Sequence, residues 1–178
     1  IPAMAWRETG HAADVLAGAS RATVSRKGVR LSGHKRLIVA GPAADGLVFS
    51  AQCKGGLSLY WLPRESVAPF LSPVELVDGR SAAALELSEL QISQDHLIAG
   101  PGTAEAALTR AYDEALLATA AELLGVISSA LGITLDYLKT RKQFGKLIGC
   151  YQALQHRAVD LYAAEVTSRC ALEDVLGE

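Results

Sequence analysis

Arg141, Gln143 and Phe144 fall in one short stretch, Arg141-Lys142-Gln143-Phe144-Gly145, between two long apolar segments, with Gln152 just beyond it. A dinucleotide diphosphate carries two negative charges and needs a fixed cation with hydrogen-bond donors beside it, which an Arg fork and a neighbouring amide supply. Phe144 would then pack on the nucleotide. The plainer structural alternative is that Arg141 and Lys142 favour a helix C-terminus and Phe144 is core. His156, one turn beyond Gln152, is readable as groove-lining or solvent-facing, and a lone helical His is usually structural.

The elements that must position these residues are long helices. After Gly100-Pro101-Gly102 the sequence becomes Ala/Leu-rich and free of Pro, with Thr103 as N-cap, and Leu116, Leu123, Leu124, Ile127, Leu131, Leu135 and Leu138 recur at helical spacing up to about Lys142. A second helix is expected over Gln152 to Leu176, with Leu154, Leu161, Val166, Leu172 and Val175 as its apolar stripe and Arg157, Asp160, Glu165 and Arg169 outside. Two such helices cannot close a core alone, so further sequence or other chains must cover them. Ala115 to Leu135 is apolar for about a bilayer span, but Glu122 in its middle would cost roughly 2.5–3.5 kcal/mol on insertion scales, so a helix buried in protein is expected and not a membrane span.

Residues 1–100 have all-β punctuation: short apolar runs between Gly, Pro and charged turns. The expected strands are Ala3 to Trp6, Ala22 to Ser25, Val29 to Ser32, Leu37 to Ala40, Leu47 to Ala51, Leu57 to Leu62, Val74 to Leu76 and Ala82 to Leu87, with Lys27-Gly28 and Gly55-Gly56 as tight turns. The fold class is α+β: a small antiparallel β-barrel or sandwich over 1–100, then over 101–178 the first two helices of an incomplete four-helix bundle.

Half of the 178 residues are hydrophobic, and a formal charge of -2 provides no global drive toward nucleic acid or anionic membrane. Arg21, Arg26, Lys27, Arg30, His34, Lys35 and Arg36 form a basic cluster, read as a solvated face or a patch for ligand phosphates rather than a nucleic-acid surface. Cys53, Cys150 and Cys170 are odd in number and widely spaced, which fits a reducing, cytoplasmic setting and no zinc site. No signal peptide is read at the start, and Ile1-Pro2-Ala3 looks like an internal cut.

The stretch Tyr137-Leu138-Lys139-Thr140-Arg141-Lys142-Gln143-Phe144-Gly145, followed by Ile148, then Tyr151-Gln152-Ala153 and His156, resembles the acyl-CoA dehydrogenase signature Y-x-K-x-R-x-Q-F-G, then I-x-x-F-Q-A and a His. Leu31-Ser32-Gly33-His34-Lys35 resembles that family's L-x-G-x-K, and Asp45 to Ala51, Gly56 to Pro63 and Leu85 to Ser93 resemble its further strands. The resemblance covers essentially the whole chain, with the family's N-terminal helical domain and later C-terminal helices expected to lie outside it.

What the resemblance implies is a flavoprotein. Arg141, Gln143 and Phe144 would reach FAD bound largely by a neighbouring subunit, and Gln152 would lie near its adenosine part. Tyr112 and Asp113 fall where the family contacts the CoA pantetheine arm, although an Asp in a helix is more often a solvated charge. The implied reaction is α,β-dehydrogenation of an acyl-CoA thioester: a carboxylate removes the α-proton, the β-hydride passes to the flavin, and electrons move on to an electron-transfer flavoprotein. Family members are commonly tetramers, and homo- or hetero-oligomers are both expected.

Departures from the family pattern shape the expectation further. The usual T-E-P-x-x-G-S-D reads Arg7-Glu8-Thr9-Gly10-His11-Ala12-Ala13-Asp14, in which Glu8 and Asp14 keep register while a Thr and a Ser are lost. The usual K-x-W-I-T reads Lys35-Arg36-Leu37-Ile38-Val39, without the flavin-shielding Trp or the hydrogen-bonding Thr. Leu116 stands where the family has an Arg, and Glu114 is one residue from an alternative base position, so no catalytic residue is assigned and the chain by itself is expected to be inactive. The implied alternative is a small-subunit type, a non-catalytic assembly subunit with a degraded flavin pocket whose Arg141-Gln143-Phe144 edge serves a partner's FAD.

Overall fold

Gly and Pro punctuate the chain before residue 100, and in the computed structural model, which describes residues 1–8, 16 and 18–177, most of the segments between them are strands. These are β1 (Pro2–Ala5), β2 (Arg21–Ser25), β3 (Gly28–Val39), β4 (Gly46–Cys53), β5 (Gly56–Pro63), β6 (Leu71–Glu75), β7 (Ser81–Ile92) and β8 (Leu97–Ala99), with a single-turn helix α1 (Arg64–Val67) after β5. The chain divides into two compact units, Ile1–Tyr112 and Asp113–Glu178.

In the first unit the strands form one sheet in the order β6-β7-β3-β2-β4-β5-β8, with β1 alongside β4. Most neighbours are antiparallel, but β1 runs parallel to β4 from Pro2↔Gly46 to Ala5↔Phe49, and β2 meets β4 in parallel at Arg21↔Gln52. Of the small antiparallel barrel or sandwich expected from the sequence, the closed barrel and the purely antiparallel pairing are corrected: the sheet is mixed and is not a closed barrel. The two ends of the sheet explain why it stays open. β6 carries Pro73, which has no amide donor, and β8 is only three residues long, so neither offers a ladder on which the sheet could close.

β3 is one strand of 12 residues where the sequence pattern broke it in two. Its pairing with β7 shifts register between Leu31 and Gly33 and again between Lys35 and Ile38, so it bends at two irregularities. At the first, Gly33 has φ +142°, and a Cβ there would lie 2.2 Å from Ser20 Oγ, so only glycine fits. At the second, Leu37 has φ +52°.

Ala5, Leu31, Ile38, Phe49, Leu62 and Leu85 form the centre of the main core, each such leucine contributing about 1.5–3 kcal/mol on burial. Leu57 and Leu59 of β5 pack in a second cluster with Ala104 and Leu108, the first turns of the next helix, and Met4, Trp6 and Val48 lie against it. Both faces of β4 and β5 are therefore covered, which is why their sequences read as nearly continuous apolar runs.

The second unit is a helical hairpin. α2 (Ala104–Thr140) and α3 (Gln152–Leu176) flank the two-stranded ladder of β9 (Lys142–Gln143) and β10 (Lys146–Leu147). Leu124 and Leu131 of α2 are buried, with Leu117, Ser128, Leu135 and Leu138 half-buried at coiled-coil spacing. On α3 the inward positions are Leu154, Ala158, Glu165 and Leu172. The expected α3 stripe is corrected here: Leu161, Val166 and Val175 are exposed, and Glu165, placed outside by its charge, is buried. It is held inside because Ser128 Oγ donates to Glu165 Oε1 at 2.5 Å and the Arg169 guanidinium, one turn on, pairs with the same oxygen. Those bonds, the Ser128 bond first, hold the Glu165 carboxyl below its ordinary range.

α2 is long and apolar enough by length and composition to cross a membrane. Little of that stretch is covered within the chain, because the two helices can shield only one stripe of each other; Leu123, Val126 and Ile133 are exposed.

Candidate functional site

The junction of α2 and α3 is fixed by short-range geometry. Phe144 and Gly145 have φ of +52° and +81°, the left-handed pair that a two-residue hairpin turn requires, and Gln143 pairs with Lys146 across it. The ladder continues one residue further, with Ile148 N–H donating to the Arg141 carbonyl at 2.9 Å. Gly149 then passes so close to the end of α2 that a Cβ would sit 2.8 Å from the Leu138 carbonyl oxygen. A bulky residue in the left-handed region costs roughly 1–2 kcal/mol, and Phe144 occupies it with 91% of its surface exposed. Strain of this kind clusters at functional sites, and here no burial compensates it.

Three of the sequence-predicted residues come together on this hairpin. With its amide oriented to satisfy its neighbours, Gln143 accepts from Arg141 Nε at 3.2 Å and Nη2 at 2.7 Å, which fixes the guanidinium plane and leaves further N–H groups of the fork for a ligand. Phe144 projects from the tip, its ring edge-on to Tyr151 at 6.4 Å. Gln152, the fourth, is exposed as the first residue of α3. Tyr112 and Asp113 lie on α2; the Tyr112 ring packs edge-on against Trp6 at 5.3 Å, and Asp113 is exposed.

Two further features lie in the first unit. A cleft of about 730 Å³ opens over β3, β6 and β7, with His34, Arg36, Leu37, Ser72, Val74 and Glu86 among its walls. Leu37, the residue standing for the family's Trp, thus lines a cleft, while Val39, standing for its Thr, is exposed. Of the T-E-P-type stretch, Arg7 and Glu8 are described, and Thr9 to Asp14 lie outside the described residues.

Sequence reasoning missed what Glu8 and Lys35 do. Lys35, counted in a solvated basic cluster, is 1% exposed, and its Nζ donates to Glu8 Oε1 at 2.7 Å, Ser50 Oγ at 3.0 Å and the Trp6 carbonyl at 3.3 Å, 4.9 Å from the Phe49 ring centroid. Glu8 also accepts from Ser20 N–H at 3.0 Å and from Ala19 N–H. Burial opposes charge on Glu8, but the bonds from Lys35, Ser20 and Ala19 and the Lys35 charge outweigh it and bring the carboxyl down to about 2. Burial pushes the Lys35 ammonium down, with Glu8 pulling it back up. The signal was present in the sequence: Lys35 shares the strand parity of Leu31, which faces the core.

The described structure is an α+β protein in which a bent open sheet precedes a helical hairpin whose turn carries a guanidinium, an amide and an exposed aromatic ring. Residues 102–177 match the family described as "Acyl-CoA dehydrogenase, C-terminal domain". The 2-methylacyl-CoA dehydrogenase, mitochondrial, of Solanum tuberosum is 26% identical over 179 residues, covering 95% of this chain and 43% of its own length. Among solved structures, the acyl-CoA dehydrogenase of Geobacillus kaustophilus superposes with a TM-score of 0.88 at 20% identity over 100% of this chain and 50% of its own. A chain of the ChsE4-ChsE5 complex from Mycobacterium tuberculosis does so with a TM-score of 0.77 at 23% identity, over 100% of this chain and 48% of its own. At such identities the structural likeness shows the fold. The chain spans about half the length of these relatives.

Proposed function

We propose that the chain forms part of a flavin-dependent acyl-CoA dehydrogenase, with Arg141, Gln143, Phe144 and Gln152 contacting the nucleotide side of FAD, and Tyr112 and Asp113 facing the CoA arm of an acyl-CoA. The observation that carries this reading is the hairpin: Arg141 and Gln143 are bonded to one another beside an exposed, strained Phe144, within the segment that matches the family. FAD, when bound, supplies the hydride acceptor for α,β-dehydrogenation of the thioester, and an electron-transfer flavoprotein is the proposed onward acceptor. The chain's own contribution is charge and shape. Arg141 neutralises phosphate with a rigid fork, Gln143 fixes the plane of that fork, and Phe144 offers an apolar face.

The fit is good at the diphosphate end and poor at the ring end. Leu37 and Val39 present hydrocarbon where the resemblance leads one to expect a ring-shielding Trp and a Thr hydroxyl, so neither of these two side chains can donate a hydrogen bond. That contrast favours a second reading, a subunit of a hetero-oligomeric dehydrogenase whose hairpin serves a partner's cofactor and whose own pocket does no chemistry. The uncovered apolar sides of α2 and α3 and the likeness to a chain of the ChsE4-ChsE5 complex support it. No catalytic base is assigned, and the chain alone is expected to turn over no acyl-CoA. The unpaired thiols Cys53, Cys150 and Cys170 suit a cytoplasmic setting.

Co-expression with candidate partner subunits, followed by flavin absorbance, tests both readings. A yellow complex with a colourless isolated chain supports the hetero-oligomer; stoichiometric FAD in a homomer overturns it in favour of a self-sufficient flavoprotein. Colourless protein in every combination overturns the proposed function itself.

A further inference from the structure

Two residues on the hairpin take no part in the reading above. The register Gln143↔Lys146 sets these residues directly opposite each other, so their side chains leave the ladder on one face, the face where the Arg141 guanidinium is bonded to Gln143. Lys146 Nζ lies 4.5 Å from the centroid of the Tyr151 ring. The same ring meets the edge of Phe144, and its hydroxyl donates to the Gln143 carbonyl at 3.2 Å. Tyr151 therefore touches three residues of the hairpin with three parts of one side chain. A lysine on a flexible stem ordinarily samples many rotamers, and a ring beneath the ammonium holds it in one region without neutralising it. Among the described residues neither Arg141 nor Lys146 has a carboxylate partner.

Two unneutralised cations on one face, beside aromatic rings, match a ligand with two adjacent phosphates and a planar base. We infer that Lys146 is the second cation of this site, taking the phosphate that Arg141 does not, and that Tyr151 is the positioning residue that holds Lys146 and the Phe144 turn in place. The inference rests on the proposed nucleotide reading of the hairpin and deepens it. It makes the site selective for nucleoside diphosphates over monophosphates, because a ligand with one phosphate engages only one of the cations.

The test is titration of the whole chain with ADP and with AMP, followed by amide chemical shifts, in the wild type and in Lys146→Met, Lys146→Arg and Tyr151→Phe. Removing one charge-assisted phosphate contact should weaken ADP by about tenfold in Lys146→Met and leave AMP nearly unchanged, with Lys146→Arg restoring ADP binding. Tyr151→Phe should fall between, with the fold intact by circular dichroism. ADP binding in Lys146→Met equal to wild type overturns the role of Lys146 alone. Equal loss of ADP and AMP, or loss in Lys146→Arg as well, also overturns it by making the lysine merely structural. A wild-type chain that binds neither nucleotide overturns the hairpin reading and this inference together.

Discussion

Lys35 and Glu8 form a 2.7 Å ion pair inside the sheet, one 1% and the other 6% exposed, and that pair ties the chain after β1 to the middle of β3. Desolvating two charges is expensive, so the pair survives only because every face of it is bonded: Ser50 and Trp6 to the ammonium, Ala19 and Ser20 to the carboxylate. Removing one partner leaves an uncompensated buried charge. Glu8→Ala and Lys35→Ala should each cost roughly 3–5 kcal/mol in urea unfolding, while Glu8→Leu with Lys35→Met together should come out far milder than the sum of the single changes.

The same pair sets an acid limit. Glu8 has its carboxyl depressed from 4.5 to about 2 in the folded chain, so its contribution is fully present above the unfolded value and is lost as pH falls from about 4.5 through about 2. Unfolding midpoints measured across that window should drop more steeply for wild type than for Glu8→Gln, whose side chain does not titrate. Parallel pH profiles would contradict this.

Phe144 predicts an exchange of stability for binding. Its left-handed φ of +52° strains a residue with 91% exposure, so Phe144→Gly should stabilise the hairpin by about 1 kcal/mol, seen as slower amide exchange from Gln143 to Leu147. The same substitution should weaken FAD or ADP binding. Loss of both stability and binding would make Phe144 an ordinary packing residue.

The helix faces predict association. Leu123, Val126 and Ile133 on α2, with Val159, Tyr162 and Val175 on α3, leave apolar surface larger than a solitary helical hairpin keeps in water. Sedimentation of the chain should show concentration-dependent oligomers, and Val126→Lys with Ile133→Lys should shift it toward monomer with its helix content retained.

The helices were the most legible part of the sequence. The second helix, expected over roughly Gln152 to Leu176, has the observed bounds, although the side chains expected to form its apolar stripe are in part exposed. Charge misled the reading in two places. Lys35 and Glu165 were placed in solvent because isolated charges usually are, and each is inside only because a specific partner, Glu8 or Ser128 with Arg169, satisfies it. No local pattern announces a partner 27 or 37 residues away. β3 was cut in two for a related reason, since His34-Lys35-Arg36 interrupts its apolar alternation. The open ends of the sheet were not legible because closure depends on pairing between strands far apart in sequence, whereas β8, at three residues, is too short to show any period. At the hairpin, residue types identified Arg141, Gln143 and Phe144, but the left-handed turn that presents them became visible only with the backbone.

The most direct test of the hairpin as a nucleotide diphosphate cradle is chemical-shift mapping of the isotope-labelled 18.7 kDa chain during titration with FAD. The account predicts saturable shifts concentrated on the amides from Arg141 to Ile148 and at Gln152, abolished by Arg141→Ala. Shifts that leave those amides unmoved while mapping elsewhere, or that persist unchanged in Arg141→Ala, would contradict it.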